Sequence, residues 1–194
     1  MDAVSLTQDE KGTLLRLARA ALEGGVRGKA LSTLDLSSLP PRLRAEGASF
    51  VTLTVNGDLR GCVGTLVARQ PLAEDVREQS VAAALQDYRF PPVEERELNG
   101  IRIEVSRLTA PVPLEYASPE DLRSKLRPHV DGVILRAGAR RATFLPQVWI
   151  KLPDPADFLG SLCEKMGGDA DLWQRAPLDI QIYQVEEFHE TATT

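Results

Sequence analysis

The residues with the most evident chemistry lie in one stretch, LRGCVGTL, over residues 59–66. On a β-strand alternate side chains share a face, so Arg60 and Cys62 are expected side by side, roughly 7 Å apart. A guanidinium at that distance favours the thiolate over the thiol, and the thiolate is the nucleophile. Gly61 and Gly64 carry no side-chain bulk, so a ligand could approach the strand closely. The stretch predicts a site in which Cys62 is a nucleophile or redox thiol and its neighbours bind a ligand.

The same stretch also has a structural interpretation. Free cysteines are among the most commonly buried residues, so Cys62 would then be a small apolar side chain in a core. The glycines would then allow close packing of a helix and a strong twist of the sheet. For Cys62 a packing role is favoured over a catalytic one. For the segment as a whole, membership of some binding surface is favoured over no role in binding.

A second candidate region follows in DYRFPPV, residues 87–93. Phe90 precedes two prolines, which predicts a rigid loop from which Arg89 could present its planar guanidinium to a carboxylate or phosphate. Asp87, Arg89 and Phe90 are therefore candidate binding residues beside the Cys62 strand. The alternative is that Asp87 and Arg89 form ion pairs or cap backbone groups where the preceding helix ends, and this alternative is favoured.

The remaining cysteine and the two histidines give less evidence of a functional site. Cys163 lies among apolar residues at helical spacing, which indicates core packing, and no disulfide with Cys62 is predicted because the two belong to different elements. His129 and His189 are isolated, and a metal site needs at least one more convincing ligand. The sequence therefore predicts neither a metal nor a cofactor.

The elements that position these residues alternate helices with hairpins. Thr7 and Glu10 have capping-box spacing, and Asn56-Gly57 is the favoured pair for a tight hairpin turn. In the strand 100–108 Ile101, Ile103 and Val105 are expected to face inward, and Arg102, Glu104 and Ser106 outward. The predicted helices are 7–24, 71–87, a short one from Ser118, and 155–166; the hairpins are 48–66 and one turning at 137–139, and a last strand spans 178–188.

Because the strands come in hairpins, the fold class is α+β with a largely antiparallel sheet flanked by helices. Segments 48–89 and 132–167 both consist of a hairpin, a proline-bearing loop and a helix, which suggests two hairpin-plus-helix repeats. The length of 194 residues fits one domain over 1–194, with or without a small second lobe. Residues 189–194 are expected to form a disordered tail.

Composition excludes several classes of partner. The net charge of −5 argues against a general nucleic-acid or anionic-membrane surface, which needs clustered Lys and Arg. No apolar run approaches the roughly 20 residues that span a bilayer. The amino-terminal segment lacks the apolar core of a signal peptide, so a cytoplasmic location is expected.

LRGCVGTL, followed by PLAEDVREQSVAAALQDYRFPPV, GIRIEVSRL and RRATFLPQVW, resembles the AMMECR family, whose bacterial and archaeal members are called AmmeMemoRadiSam system protein A. The resemblance covers nearly the whole chain. It implies an α+β fold with a twisted, partly barrel-like sheet and a two-part organisation. It also implies gene association with a Memo-like protein and a radical SAM protein, which are the expected partners. It implies no assigned reaction and no catalytic residues.

Three functions are consistent with these observations, and whether the protein is an enzyme stays open. In the first, a pocket beside Arg60 and Cys62 binds a small anionic or carbonyl-bearing molecule, and the protein is an enzyme or a component of one. In the second, the same face is a non-catalytic module that binds the Memo-like or radical SAM partner. In the third, the protein is purely structural or an interaction protein and binds no small ligand.

Overall fold

The computed structural model describes residues 5–191, which form two compact units. Residues up to Leu108, together with those from Glu186 onward, form unit 1, and Thr109–Val185 form unit 2. The helices are α1 (Gln8–Val26), α2 (Pro41–Arg44), α3 (Leu72–Leu85), α4 (Pro119–Lys125), α5 (Pro155–Lys165) and α6 (Leu172–Arg175). The strands are β1 (Glu46–Val55), β2 (Asp58–Gly64), β3 (Gln70–Pro71), β4 (Ile101–Leu108), β5 (Val112–Pro113), β6 (Gly132–Ala137), β7 (Arg140–Phe144), β8 (Asp179–Tyr183) and β9 (Val185–His189).

Unit 1 is built on a five-stranded sheet in the order β2-β1-β4-β9, with β3 also paired to β1. The predicted hairpin is confirmed, because β1 and β2 pair antiparallel around Asn56 and Gly57, whose φ angles are +53° and +89°. Helix α3 packs on β1 and β2, and α1 packs on α3 and β4. The sheet residues on that side form the core, among them Val51, Leu53 and, as predicted, Ile103.

The start of α1 follows the prediction from its capping box. The Thr7 hydroxyl accepts a hydrogen bond from the backbone N–H of Glu10 at 3.2 Å, and the Glu10 carboxylate accepts one from the N–H of Thr7 at 2.8 Å. Two donors that a helix start leaves unsatisfied thus gain partners. The helix runs to Val26, two residues beyond the predicted end.

Unit 2 contains an antiparallel four-stranded sheet in the order β5-β8-β6-β7. Its core is centred on Trp149 and Phe158, whose rings stack with centroids 3.7 Å apart. Cys163 lies in this core with no exposed surface, as predicted from its helical spacing, and both cysteines of the chain are free. Helix α5 packs on β7, so in each unit a hairpin is followed by a helix that packs on it.

The α+β prediction is confirmed, and the strands within residues 5–191 form two sheets without a closed barrel. The single last strand predicted over 178–188 is wrong, because β8 and β9 lie in different sheets. Gln184 separates them: its N–H donates to the Thr109 hydroxyl at 2.9 Å and its carbonyl accepts from the N–H of Thr109 at 2.9 Å. None of the described helices is long and apolar enough to cross a membrane.

Of the predicted tail 189–194, residues 189–191 belong to the described part. His189 ends β9, and the N–H of Glu190 donates to the carbonyl of Ile103 at 3.0 Å. The Glu190 carboxylate accepts a hydrogen bond from Arg19 Nε at 3.0 Å. Residues 192–194 lie outside the described residues.

A buried carboxyl in unit 1 supplies a first test of the packing. Asp75 on α3 is 2% exposed and accepts a hydrogen bond from the hydroxyl of fully buried Ser49 at 2.6 Å. Burial raises the pKa of Asp75, and its hydrogen bonds oppose that rise only in part. The contribution of Asp75 to stability is therefore full below its unfolded pKa of about 4, and it is lost as the pH rises through the higher folded pKa.

We expect Asp75→Asn to increase the free energy of unfolding at neutral pH, because the amide has the same shape and never ionises. The gain should grow between pH 4 and pH 8, and urea unfolding at both values measures it. A loss of stability of equal size at both pH values would mean that the hydrogen bonds to the carboxylate outweigh its burial.

Candidate functional site

Strand β2 carries the candidate site and forms the edge of its sheet. Its register with β1 pairs Leu53 with Gly61 and Thr54 with Leu59, which leaves Arg60 without a partner. This is a β-bulge, a device that redirects a side chain and interrupts the alternation of a strand. The prediction that Arg60 and Cys62 share a face assumed that side chains alternate without interruption along β2, and the bulge interrupts this alternation.

The guanidinium of Arg60 is engaged along the edge of the sheet. Its Nε lies 2.7 Å from Glu97 Oε1 and its Nη2 lies 3.1 Å from Glu97 Oε2, while Nη1 donates to the carbonyl of Pro91 at 2.9 Å. The hydrogen bond with Glu97 raises the pKa of Arg60 and lowers the pKa of Glu97. Arg60 therefore ties the loop that follows α3 to the strand, and its guanidinium is engaged by Glu97 and the Pro91 carbonyl.

Asp87 and Arg89 occupy the outer edge of β2 at Cys62. The N–H of Cys62 donates to Asp87 Oδ2 at 2.8 Å, and its carbonyl accepts from Arg89 Nη2 at 3.2 Å. Arg89 also donates to both oxygens of Asp87, at 2.9 and 2.6 Å, and this pairing lowers the pKa of Asp87. The pair satisfies backbone groups that an edge strand leaves open to another chain. Asp87 and Arg89 thus form an ion pair that caps backbone groups, which is the alternative given for them in the sequence analysis.

The two glycines of the segment have packing roles. A Cβ at Gly61 would lie 2.1 Å from the backbone oxygen of Ala83 in α3, and one at Gly64 would lie 2.3 Å from Cγ of Phe50. The space in front of each is filled by the protein itself. The expected room for a ligand at Gly61 and Gly64 is thus taken by a helix backbone and an aromatic ring.

The loop after α3 presents aromatic side chains beside this edge. The guanidinium carbon of Arg89 lies 5.5 Å from the centroid of the half-buried Phe90 ring. Tyr88, between Asp87 and Arg89, is 96% exposed. Phe90 therefore supports Arg89, and Tyr88 is available to a partner.

The Cys62 thiol belongs to a row of polar side chains across three strands. Thr52 on β1 is paired in register with Cys62 on β2 and with Glu104 on β4. Cross-strand partners point to the same face, which here is the face opposite α3. We call this side, defined by Cys62, Thr52 and Glu104, the polar face. All three residues are half-buried, and Thr52 Oγ1 lies 3.3 Å from Cys62 Sγ.

Glu104 is the member of the row that the sequence pattern did not identify as a functional residue. Burial raises its pKa, the negative charge of Glu187 raises it further, and His189 opposes the rise. A carboxyl with a perturbed pKa is typical of functional sites, and Glu104 shares the polar face with the Cys62 thiol. The alternating pattern placed Glu104 on the outward face, but its pairing with Thr52 depends on a register that joins residues 52 apart.

Two further features concern charge and metals. The guanidinium of Arg89, whose side chain is 45% exposed, lies beside Cys62 and donates to the Cys62 carbonyl at 3.2 Å. Across residues 5–191 there is no group of three or more His, Cys, Asp and Glu side chains placed to hold a metal ion. The chemistry that the polar face offers is that of a thiol, a hydroxyl and a carboxyl.

Comparison with known proteins places this architecture in a family. The AMMECR1 family profile matches residues 15–188. A protein of Methanothermobacter thermautotrophicus is 39% identical over 191 residues, which is 98% of this chain and 99% of that one. A protein of Thermofilum pendens is 37% identical over 197 residues, 96% of this chain and 92% of that one. The crystal structure of protein PH0010 from Pyrococcus horikoshii has a TM-score of 0.79 at 32% identity, over 95% of this chain and 93% of that one. The chain belongs to the AMMECR1 family.

Proposed function

We propose that the protein is an enzyme, or a component of one, that captures a small carbonyl-bearing molecule on its polar face through the thiol of Cys62. The observation that carries this proposal is the cross-strand row of Cys62, Thr52 and Glu104. The row combines a thiol, a hydroxyl in contact with it and a carboxyl of raised pKa on one face of the sheet, which supports a nucleophilic role for the thiol. A thiol nucleophile needs a base that removes its proton, and Glu104 is the base proposed here, acting by way of Thr52.

The spacing of the row suits a small molecule. Adjacent strands are roughly 4.8 Å apart, so the Cα atoms of Cys62 and Glu104 are separated by about twice that distance. The Thr52 hydroxyl lies between them and donates a hydrogen bond to Cys62 Sγ at 3.3 Å, so a proton relay from the thiol toward the carboxylate requires this hydroxyl to rotate toward Glu104. A base with a raised pKa is better matched to neutral pH than an ordinary carboxylate.

The chemical step is the addition of the thiol to a carbonyl group. Glu104 takes the thiol proton by way of Thr52, and the sulfur of Cys62 forms a bond to the carbonyl carbon. The π electrons of the C=O bond move to the oxygen, which then receives the proton from Glu104. The product is a hemithioacetal, and no oxidant or reductant is consumed.

Arg89 supports this step from the edge of the strand. Asp87 and the Phe90 ring hold its guanidinium in place, and its exposed side can face an anionic group on the ligand. A planar guanidinium binds carboxylates through two parallel hydrogen bonds. A carbonyl compound that also carries a carboxylate is therefore the ligand class that fits best.

The test is the rate at which iodoacetamide alkylates each cysteine of the native protein, followed by mass spectrometry of peptides. We expect Cys62 to react and Cys163 to stay unmodified, because Cys163 is fully buried. Glu104→Gln and Thr52→Val should each slow the alkylation of Cys62 by about tenfold, because each interrupts proton removal. In the unmodified protein the contribution of Glu104 should be lost as the pH falls through its raised pKa.

The matched control is Glu78→Gln, which removes one exposed carboxylate from α3, away from the polar face. It should leave the alkylation rate unchanged. If Glu104→Gln and Glu78→Gln react at the same rate as the unmodified protein, Glu104 is not the base, and if Cys62 is not alkylated in the native protein at all, it is a packing residue.

A second candidate function is a protein-interaction module, and the exposure of Tyr88 favours it. An aromatic side chain that is 96% exposed, on a loop fixed by Arg60 and followed by two prolines, is a feature of interaction surfaces. The partners proposed for this surface are the Memo-like and radical SAM proteins that the family resemblance implies. Cys62→Ser separates the two functions, because it would leave partner binding intact while abolishing thiol chemistry.

A further inference from the structure

A cleft of about 980 Å³ lies in unit 1, between α1, the turn at Asn56-Gly57 and the segment 98–102. None of the row residues Cys62, Thr52 and Glu104 lines it. Its volume falls at the upper end of the range of small-molecule sites, roughly 300–1,000 Å³. It is thus large enough to be a second site, separate from the chemistry proposed for the polar face.

The side chains that line the cleft carry more positive than negative charge. Its two acidic side chains are both paired, Glu190 with Arg19 and Glu23 with Arg27. Arg16 is exposed and donates only to the hydroxyl of Thr13, at 2.9 Å, among the contacts of the described residues. Arg102 is exposed and makes no ion pair or side-chain hydrogen bond within residues 5–191. Two positive charges at the cleft therefore have no carboxylate partner among the described residues.

One wall of the cleft is held rigidly. Arg19 donates to the carbonyl of Leu98 at 3.2 Å and to the carbonyl of Ile101 at 2.8 Å, so the helix α1 is tied to the segment that carries Arg102. Glu190 also accepts from the same guanidinium, with Arg19 Nε 3.0 Å from Glu190 Oε1. A pre-organised wall lowers the ordering cost of binding a ligand.

We infer that this cleft binds a small anion carrying phosphate or carboxylate groups, with Arg16 and Arg102 as its charge partners. Guanidinium groups suit both anions because their planar donors match the oxygens of either group. The half-buried side chain of Leu15 in the lining adds an apolar surface for the carbon skeleton of an organic anion.

The test uses the full chain and two probes, pyrophosphate and citrate, in titration calorimetry at an ionic strength kept constant with sodium chloride. We expect saturable binding of at least one probe, and the preferred probe tells phosphate from carboxylate recognition. Arg16→Gln and Arg102→Gln should each weaken binding by about tenfold, the effect of losing one hydrogen-bonded charge. Both residues are exposed, so neither variant should alter the thermal midpoint without the probe.

The control is Arg44→Gln, which removes an exposed arginine outside the cleft. It should bind the preferred probe as tightly as the unmodified protein does. The inference is overturned if neither probe binds saturably, or if Arg44→Gln weakens binding as much as the two cleft variants.

Discussion

Gly61→Ala should destabilise the protein by about 3 kcal/mol, at the upper end of what overpacking costs. The added Cβ would lie 2.1 Å from the carbonyl oxygen of Ala83 and 3.1 Å from its carbonyl carbon. Both atoms belong to the backbone of α3, which cannot rotate away as a side chain could. Strand and helix must therefore separate, and β2 would lose its contact with the core. Urea unfolding at neutral pH measures the change.

Gly12→Ala is the matched control for that substitution. A Cβ at Gly12 would meet only the flexible guanidinium of Arg16, at 3.5 Å. Within a helix alanine is favoured over glycine by roughly 0.5–1 kcal/mol, so this variant should be as stable as the unmodified protein or more so. If Gly61→Ala unfolds at the same urea concentration as Gly12→Ala, the close approach of α3 to β2 is not what requires glycine at position 61.

Asp87→Asn should reduce the free energy of unfolding at pH 7 by about 2 kcal/mol, the usual loss for hydrogen bonds to a charged group. The substitution weakens the bidentate pair with Arg89 and places an amide where Cys62 needs an acceptor. The folded pKa of Asp87 is lowered, so its contribution is full above the unfolded pKa of about 4. That contribution is lost as the pH falls through the folded pKa. The difference between the two proteins should therefore shrink in acid.

Urea unfolding at pH 7 and pH 3 measures this convergence. Asp58→Asn, which changes an exposed carboxylate at the start of β2, should change stability little at either pH. A deficit in Asp87→Asn that stays the same from pH 7 to pH 3 would contradict the account, because the effect would then come from shape and not from charge.

The elements predicted well are those that local sequence determines. Thr7 and Glu10 are three residues apart, and Asn56-Gly57 needs only its own positive φ angles, so α1 and the first hairpin were predictable without knowledge of the fold. The core position of Cys163 followed from helical spacing for the same reason.

The partners at the candidate site could not be predicted, because they depend on long-range register. The bulge at Arg60 arises from the pairing of β2 with β1, and the bound Glu97 lies 37 residues further along the chain. Glu104 approaches Cys62 only because β4 and β2 both pair with β1 at Thr52. A strand pattern shows which side chains share a face, but not which strands are neighbours.

The same long-range contacts explain why the stretch 59–66 fits both a packing role and a chemical role when only its sequence is considered. Arg60 contacts the loop after α3, Gly61 packs against α3 and Gly64 packs against Phe50, whereas the Cys62 side chain lies on the polar face beside Thr52. The backbone pairing of the three strands aligns Cys62 with Thr52 and Glu104.

The most direct test of the proposed thiol chemistry is carbon-13 NMR of the protein with glyoxylate labelled at its aldehyde carbon. Glyoxylate combines the carbonyl group that Cys62 would attack with a carboxylate that Arg89 can bind. We predict a protein-bound hemithioacetal resonance in the unmodified protein that is absent from Cys62→Ser, in which Cys163 is still present. An identical resonance in Cys62→Ser, or none in the unmodified protein at millimolar glyoxylate, would contradict the account.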